Sequence, residues 1–177
     1  MSVSENSKPY RPNAGVMLFN RQGKVWVGQR RDMPKISMPN PWQMPQGGID
    51  DGEDPFEAAV RELREETSIV STKLIAPAKA WLEYDFPTDL SKKLLKGKYR
   101  GQRQKWFAML FLGDDSEVNI HTPDEGKHKA EFCEWRWEKL ENLPDLIVPF
   151  KREIYLQLVS QFSEIPNDIL NGNISSD

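Results

Sequence analysis

Residues Gly47 to Ile69 read GGIDDGEDPFEAAVRELREETSI. The second half of this stretch opens like a helix: Asp54 can cap it, Pro55 takes the first helical position, and Glu57 stands three residues after the cap. Phe56, Ala59, Val60 and Leu63 follow at spacings of three and four, a stripe made for burial. Glu62, Glu65 and Glu66 repeat that spacing on a neighbouring face and gather three carboxylates. Like charges so placed repel by roughly 0.2–0.5 kcal/mol per pair, and acids near a helix C-terminus oppose its dipole. Arg61 and Arg64 offset only part of that repulsion. One reading is a solvated acidic face. The other is a site for a hard divalent cation, Mg²⁺ or Mn²⁺, which prefers carboxylate oxygen and water.

The segment ahead of the helix weighs toward the cation. Gln46-Gly47-Gly48-Ile49-Asp50-Asp51-Gly52-Glu53 sets glycines and acids just before the cap. Such a loop lets backbone approach a ligand closely and aim a carbonyl or amide at it, which brings Gly47 into the metal-binding set. The whole run resembles the Nudix box, a glycine, five residues, Glu, seven residues, then Arg-Glu-aliphatic-any-Glu-Glu-any-Gly-aliphatic. Gly47, Glu53, Arg61, Glu62, Leu63, Glu65, Glu66 and Ile69 fall on that pattern. Ser68 stands where the pattern has its last glycine, a departure at the helix C-cap rather than at a ligand.

Composition narrows the rest. A chain of 177 residues, 38% hydrophobic and 29% charged, fits one soluble domain with a real core. No apolar run approaches the ~20 residues of a membrane span, and the polar start Met1 to Lys8 has no signal-peptide core. Cys133 is the single cysteine and His121 and His128 the only histidines, which argues against a disulfide framework or a zinc cluster. The expected compartment is the cytoplasm. The net charge of −3 hides an asymmetry: Lys92, Lys93, Lys96, Lys98, Arg100, Arg103 and Lys105 lie between Leu90 and Gly113 with no acid among them. An acidic helix and a basic segment in one domain point to metal at one place and phosphate at the other, although a solvated loop reads the same way.

Taken in order, Met1 to Lys8 reads as a disordered start, residues 9–163 as the domain, and 164–177 as a flexible tail. Asn13–Asn20 and Lys24–Arg30 form an expected β-hairpin around Asn20-Arg21-Gln22-Gly23. The prolines Pro34, Pro39 and Pro41 mark a surface loop between Met33 and Pro41. One or two strands are expected over Ile69–Leu82, interrupted near Pro77. Gln104–Leu112 reads as a strand buried on both faces, and Glu131–Trp137 as an alternating strand. Phe150, Ile154, Tyr155, Leu158, Val159 and Phe162 keep helical spacing. Mixed strands with two helices make the fold class α+β, and the resemblance sharpens this to a mixed sheet sandwiched between helices. No Gly-Lys is followed by Ser or Thr, so a P-loop is absent.

Further pieces look like one Nudix branch, the bacterial RNA pyrophosphohydrolases, also described as dinucleoside polyphosphate hydrolases. They are Tyr10-Arg11-Pro12-Asn13, Trp42 through Ile49, Gly101 through Phe107, Glu131-Phe132 with Trp135-Arg136-Trp137, and Val148 through Arg152. The resemblance implies that Glu62, Glu65, Glu66 and Glu131 hold divalent metal. It implies that Arg11 and Arg30 meet substrate phosphates and that Phe150 and Lys151 contact a base or the backbone beyond the first nucleotide. Arg103 and Lys105, in the basic segment, join the phosphate-binding candidates. Glu66, Glu62 and Glu131 all qualify as the group that takes a proton from water, and the sequence does not choose. The leading expectation is removal of pyrophosphate from 5′-triphosphorylated RNA, with Mg²⁺ as cofactor and no membrane or DNA partner. The alternatives are hydrolysis of dinucleoside polyphosphates and a binding module that recognises nucleotide or RNA ends without turnover. An intact set of repelling acids argues against the last.

Overall fold

The computed structural model describes residues 7–31 and 41–175; the expected loop between Met33 and Pro41 falls almost wholly outside them. Eight strands pair into one sheet among these residues: β1 (Tyr10–Phe19), β2 (Val25–Arg30), β3 (Trp42–Gln43), β4 (Gln46–Gly48), β5 (Thr72–Pro77), β6 (Leu82–Asp85), β7 (Gly101–Phe111) and β8 (Phe132–Glu138). The helices are α1 (Pro55–Thr67), α2 (Thr88–Ser91), α3 (Pro123–Gly126), α4 (Leu143–Leu146), α5 (Arg152–Gln161) and α6 (Ile165–Leu170). The class is α+β, as expected.

β1 and β7 form the spine. They run parallel for the whole length of β1, from Tyr10 opposite Gly101 to Phe19 opposite Leu110. The other pairings are antiparallel. Because side chains alternate along a strand, β7 feeds two cores at once. Trp106, Ala108 and Leu110 join Met17, Phe19, Ile154, Tyr155 and Leu158 on one face. Phe107, Met109 and Phe111 join Val16, Leu18, Ala58, Ala59 and Leu63 on the other. Helix α1 therefore covers one side of the sheet, while α5 and α6 cover the other.

The expected hairpin is present at its turn. Asn20 Oδ1 accepts from the amides of Gln22 and Lys24, each at 3.0 Å, and Gly23 supplies a φ of 70° that other residues avoid. Beyond the pair Phe19–Val25 the two strands part. β2 turns to β8 and β3, and β4 takes the vacated edge of β1 from Asn13 to Gly15. That parting opens the sheet where the glycine loop begins.

One expectation is corrected. The segment from 164 is not a loose tail: residues 165–170 form α6, whose Ile165 and Ile169 are buried in the core. Their apolar spacing of four was available in the sequence and too short to weigh.

Helix α1 starts as read, with Asp54 Oδ1 accepting from the amides of Phe56 at 2.9 Å and Glu57 at 3.2 Å. It ends on Ser68 at φ 67°, ψ 1°, the left-handed conformation that glycine takes without strain. Ser68 offsets that strain with its hydroxyl, which accepts from the amide of Asp124 at 2.9 Å and donates to the carbonyl of Asn119 at 3.2 Å. Two opposed effects of similar size follow, about 1 kcal/mol each. Ser68→Gly should therefore unfold in urea within about 0.5 kcal/mol of wild type, and Ser68→Ala, which keeps the strain and loses both bonds, about 1 kcal/mol lower.

Candidate active site

Arg61 organises the acidic end of α1. Its guanidinium forks onto Glu53, with Nε to Oε1 at 2.7 Å and Nη2 to Oε2 at 2.9 Å, and Nη2 also donates to the carbonyl of Gly48 at 2.8 Å. Nη1 reaches Glu62 at 2.8 Å and Glu65 at 3.3 Å. One side chain thus ties the loop to the helix. The fork holds the Glu53 carboxyl down to about 2, and the same contact raises the proton affinity of Arg61.

The two glycines of the loop make room for functional side chains. A Cβ on Gly47 would lie 2.0 Å from the carboxyl carbon of Glu62, and one on Gly48 would lie 2.2 Å from an Arg11 nitrogen. Any other residue there would displace one of those two groups. On the far side, β2 carries a bulge between Gln29 and Arg30 where it pairs with β8. The bulge aims Arg30 at Glu131, and the two form an ion pair.

These elements enclose a cavity of about 370 Å³. Glu62, Glu66, Glu131, Arg11, Arg30, Lys151 and the backbone of Gly47 line its polar half. Tyr84, Phe86, Leu94, Leu95 and Phe150 line the other, with the Phe150 ring 5.9 Å from that of Tyr84. Glu66 is 4% exposed and, among the described residues, accepts only from the amide of Gln46, at 3.2 Å. Burial pushes its carboxyl well up, and the negative charges of Glu131 and Glu62 push it further. Glu62 is raised as well, by burial first and against the pull of Arg61. Lys151 moves the opposite way, down to about 8, through burial and the positive charge of Arg30.

Sequence reasoning missed part of this cavity. Asn13, 0% exposed, and Gln43, 3% exposed, both line it, and the amide nitrogens of both are buried without a partner among the described residues, as is Nε of Arg30. A buried donor left unpaired costs about 1–3 kcal/mol, so three in residues of one cavity wall make that wall costly to fold. The Asn13 oxygen accepts from Gln104 Nε2 at 3.1 Å, and the same nitrogen faces Gln102 and Gln46. The available signal was a set of polar residues interrupting apolar strands.

Three expected site residues sit elsewhere. Glu65 does not line the cavity but faces Arg61 and, at 3.8 Å, His128. A helix turns about 100° per residue, so Glu62 and Glu66 lie about 40° apart while Glu65 is about 60° from one and 100° from the other. Arg103 and Lys105 also point away, because in β7 the cavity face belongs to Gln102 and Gln104. Arg103 lies over the Trp81 ring at 4.8 Å and near Glu83 at 3.4 Å, and Lys105 Nζ donates to the carbonyl of Ala78 at 2.6 Å.

Comparison with known proteins fits this picture. A family model described as the NUDIX domain matches residues 9–158. The chain belongs to the NUDIX domain family. It is similar to proteins named RNA pyrophosphohydrolase from Azorhizobium caulinodans, 50% identical over 161 residues and covering 90% of this chain and 96% of that one. A protein of the same name from Rhodopseudomonas palustris is 52% identical over 158 residues, covering 89% and 94%. Among solved structures, the E. coli dihydroneopterin triphosphate pyrophosphohydrolase superposes with a TM-score of 0.62 at 21% identity, over 86% of this chain and 99% of that one, which shows the shared fold. No helix among the described residues is long and apolar enough to cross a membrane.

NUDIX hydrolases generally use divalent cations, and the residues here fit one. The carboxylates of Glu62, Glu66 and Glu131 supply hard oxygen donors, and Glu66 has no cationic partner at hydrogen-bond distance. As they stand, no three such side chains among the described residues are gathered closely enough to hold an ion. Arg61 occupies an oxygen of Glu62, and Arg30 one of Glu131.

The raised carboxyls have a consequence for stability. A carboxyl whose folded pKa lies above its unfolded value keeps a proton that the unfolded chain has released. Stability therefore falls as pH rises from the unfolded value of about 4.5 toward the folded one, by up to about 1.4 kcal/mol per pH unit and group. In chelator, wild type should lose thermal stability across that window, and Glu66→Gln should lose less and melt higher at neutral pH. Its turnover should fall roughly 100-fold or more under saturating Mg²⁺. Melting scans against pH and initial rates of the two proteins check both outcomes.

Proposed function

We propose that this NUDIX domain removes pyrophosphate from the 5′-triphosphate end of RNA and leaves a 5′-monophosphate. The observation that carries the reading is the two-sided cavity. Carboxylates, three cations and unpartnered donors fill one half, and aromatic and aliphatic side chains fill the other. A polyphosphate with a base attached has the same two halves. The names of the relatives at about half identity support the reading.

In this mechanism, a water oxygen forms a new bond to phosphorus while a bridging P–O bond breaks and pyrophosphate leaves. Positioning and charge neutralisation are the main demands on the protein. Arg11, which makes no ion pair among the described residues, and Arg30 and Lys151 hold the phosphate oxygens. Mg²⁺, held by Glu62, Glu66 and Glu131 with Gly47 beside them, would supply Lewis acidity and lower the pKa of a bound water. The water's proton passes to a carboxylate of this set, with Glu62, Glu66 and Glu131 all lining the cavity. Phe150 stacks on a base next to the triphosphate.

The experiment sets triphosphate-ended oligonucleotide against diadenosine tetraphosphate. The RNA should be the better substrate by kcat/KM, with pyrophosphate the released product. Phe150→Ala should cut RNA turnover on the order of 10- to 100-fold, the worth of one lost base stack, and the dinucleotide far less. Equal losses on both would make Phe150 core packing and move dinucleoside polyphosphates into first place. Binding of RNA ends with no product would leave a recognition module.

A further inference from the structure

A second cavity, of about 130 Å³, lies against the first with Phe86 in both walls. Lys8, Asp85, Thr88, Ser91, Tyr99 and Arg100 complete its lining. Asp85 adds little net charge there, because Arg100 forks onto it with both contacts at 2.8 Å. Lys8 forms no ion pair among the described residues. The chain between the two cavities runs through Leu94 and Leu95, which line the first, and lysines flank that pair in sequence on either side.

The basic segment separates into two groups here. Arg100, Arg103 and Lys105 are occupied by Asp85, by Glu83 and Trp81, and by the Ala78 carbonyl. Lys92, Lys93, Lys96 and Lys98 are all exposed, and none forms an ion pair among the described residues. Four like charges within seven residues repel one another, and no acid follows before Asp114. In a chain whose net charge is negative, this ridge is a local reversal of sign on the segment that gives Leu94 and Leu95 to the cavity wall.

We propose that the second cavity and the ridge Lys92–Lys98 form a track for the RNA strand beyond the reacting end. The phosphates downstream of the first nucleotides lie along Lys8 and the four lysines, past the cavity that Tyr99, itself packed against the core, helps to line. The ligand chemistry is a single-stranded polyanion, read by charge and stacking rather than by base edges. Continuity favours RNA over an acidic protein as the occupant. The ridge adjoins the cavity where the triphosphate must sit, and a strand held there by its first nucleotide has to leave past it.

This inference rests on the RNA reading, and the test separates the two. Rates are measured on a triphosphate-ended dinucleotide and a triphosphate-ended octanucleotide, both unpaired, over a salt series. For wild type, kcat/KM should be higher for the octanucleotide and fall more steeply with salt. Lys92→Gln/Lys93→Gln/Lys96→Gln/Lys98→Gln should leave the dinucleotide rate unchanged and lower the octanucleotide rate at low salt about tenfold. Loss of two phosphate contacts should reduce the salt slope by about 1.4. Lys93→Glu/Lys96→Glu should do the same through charge reversal. An unchanged advantage of the longer strand in both variants overturns the track and leaves the ridge to an acidic protein partner. Wild-type turnover of neither RNA overturns the RNA reading itself and the track with it.

Discussion

The guanidinium of Arg61 is shared among Glu53, Glu62, Glu65 and the carbonyl of Gly48, and the acidic site depends on that sharing. Three acids on adjacent helical turns repel, and a glycine-rich loop needs a partner on the helix for its Glu53 carboxylate and its Gly48 carbonyl. One planar cation with five donors answers both needs, since it neutralises part of the acid face and pins the loop across it. A lysine at position 61 could supply the charge but not the fork onto Glu53 together with a carbonyl bond. Once the loop is pinned, Gly47 and Gly48 lie close enough to cradle the Glu62 carboxyl and the Arg11 guanidinium. A local electrostatic arrangement thus sets the spacing between the acid and phosphate sides of the cavity.

The sheet supplies the second constraint. β1 leaves β2 after a single paired position and commits instead to β7, in parallel and over its full length. That choice frees an edge for β4, which delivers the glycine loop, and lets the bulge in β2 swing Arg30 toward Glu131. A long hairpin between β1 and β2 would have closed the space in which the cavity forms. The buried side chains of β7 make the alternative unfavourable, because Trp106, Ala108 and Leu110 and their odd-numbered neighbours find a core on each face only in this arrangement.

Much of this was legible because it is local. Cap, helix stripe and acid spacing at Asp54–Glu66 are set by bonds and angles within a few turns, and the box pattern records the loop that precedes them. The turn at Asn20–Gly23 is legible for the same reason. What escaped depends on contacts remote in the chain. That Glu131 meets Glu66, that Gln43 and Asn13 share a cavity, and that Arg103 is claimed by Trp81 and Glu83 are facts of register. The pairings of β2 with β8 and β3, and of β6 with β7, decide them, and no short pattern announces those. Even so, the odd-even alternation of β7 could have separated Gln102 and Gln104 from Arg103 and Lys105 at the sequence level. The helical angle likewise separates Glu65 from Glu62 and Glu66.

The site also shows where stability and chemistry part company. Buried Glu66 and the nitrogens of Asn13, Gln43 and Arg30, unpaired among the described residues, are each unfavourable for folding. Apolar side chains of similar volume would fill the space at lower cost, as they do on the Tyr84–Phe86 side. The polar half becomes favourable only when cation charge reaches the acids and phosphate oxygens reach the donors. Both must arrive together, since phosphate alone would face Glu66 and Glu131, and a cation alone would face Arg11, Arg30 and Lys151. On the proposed function, a cavity with acids and cations on facing walls suits a metal-bound polyphosphate better than free phosphate or free metal.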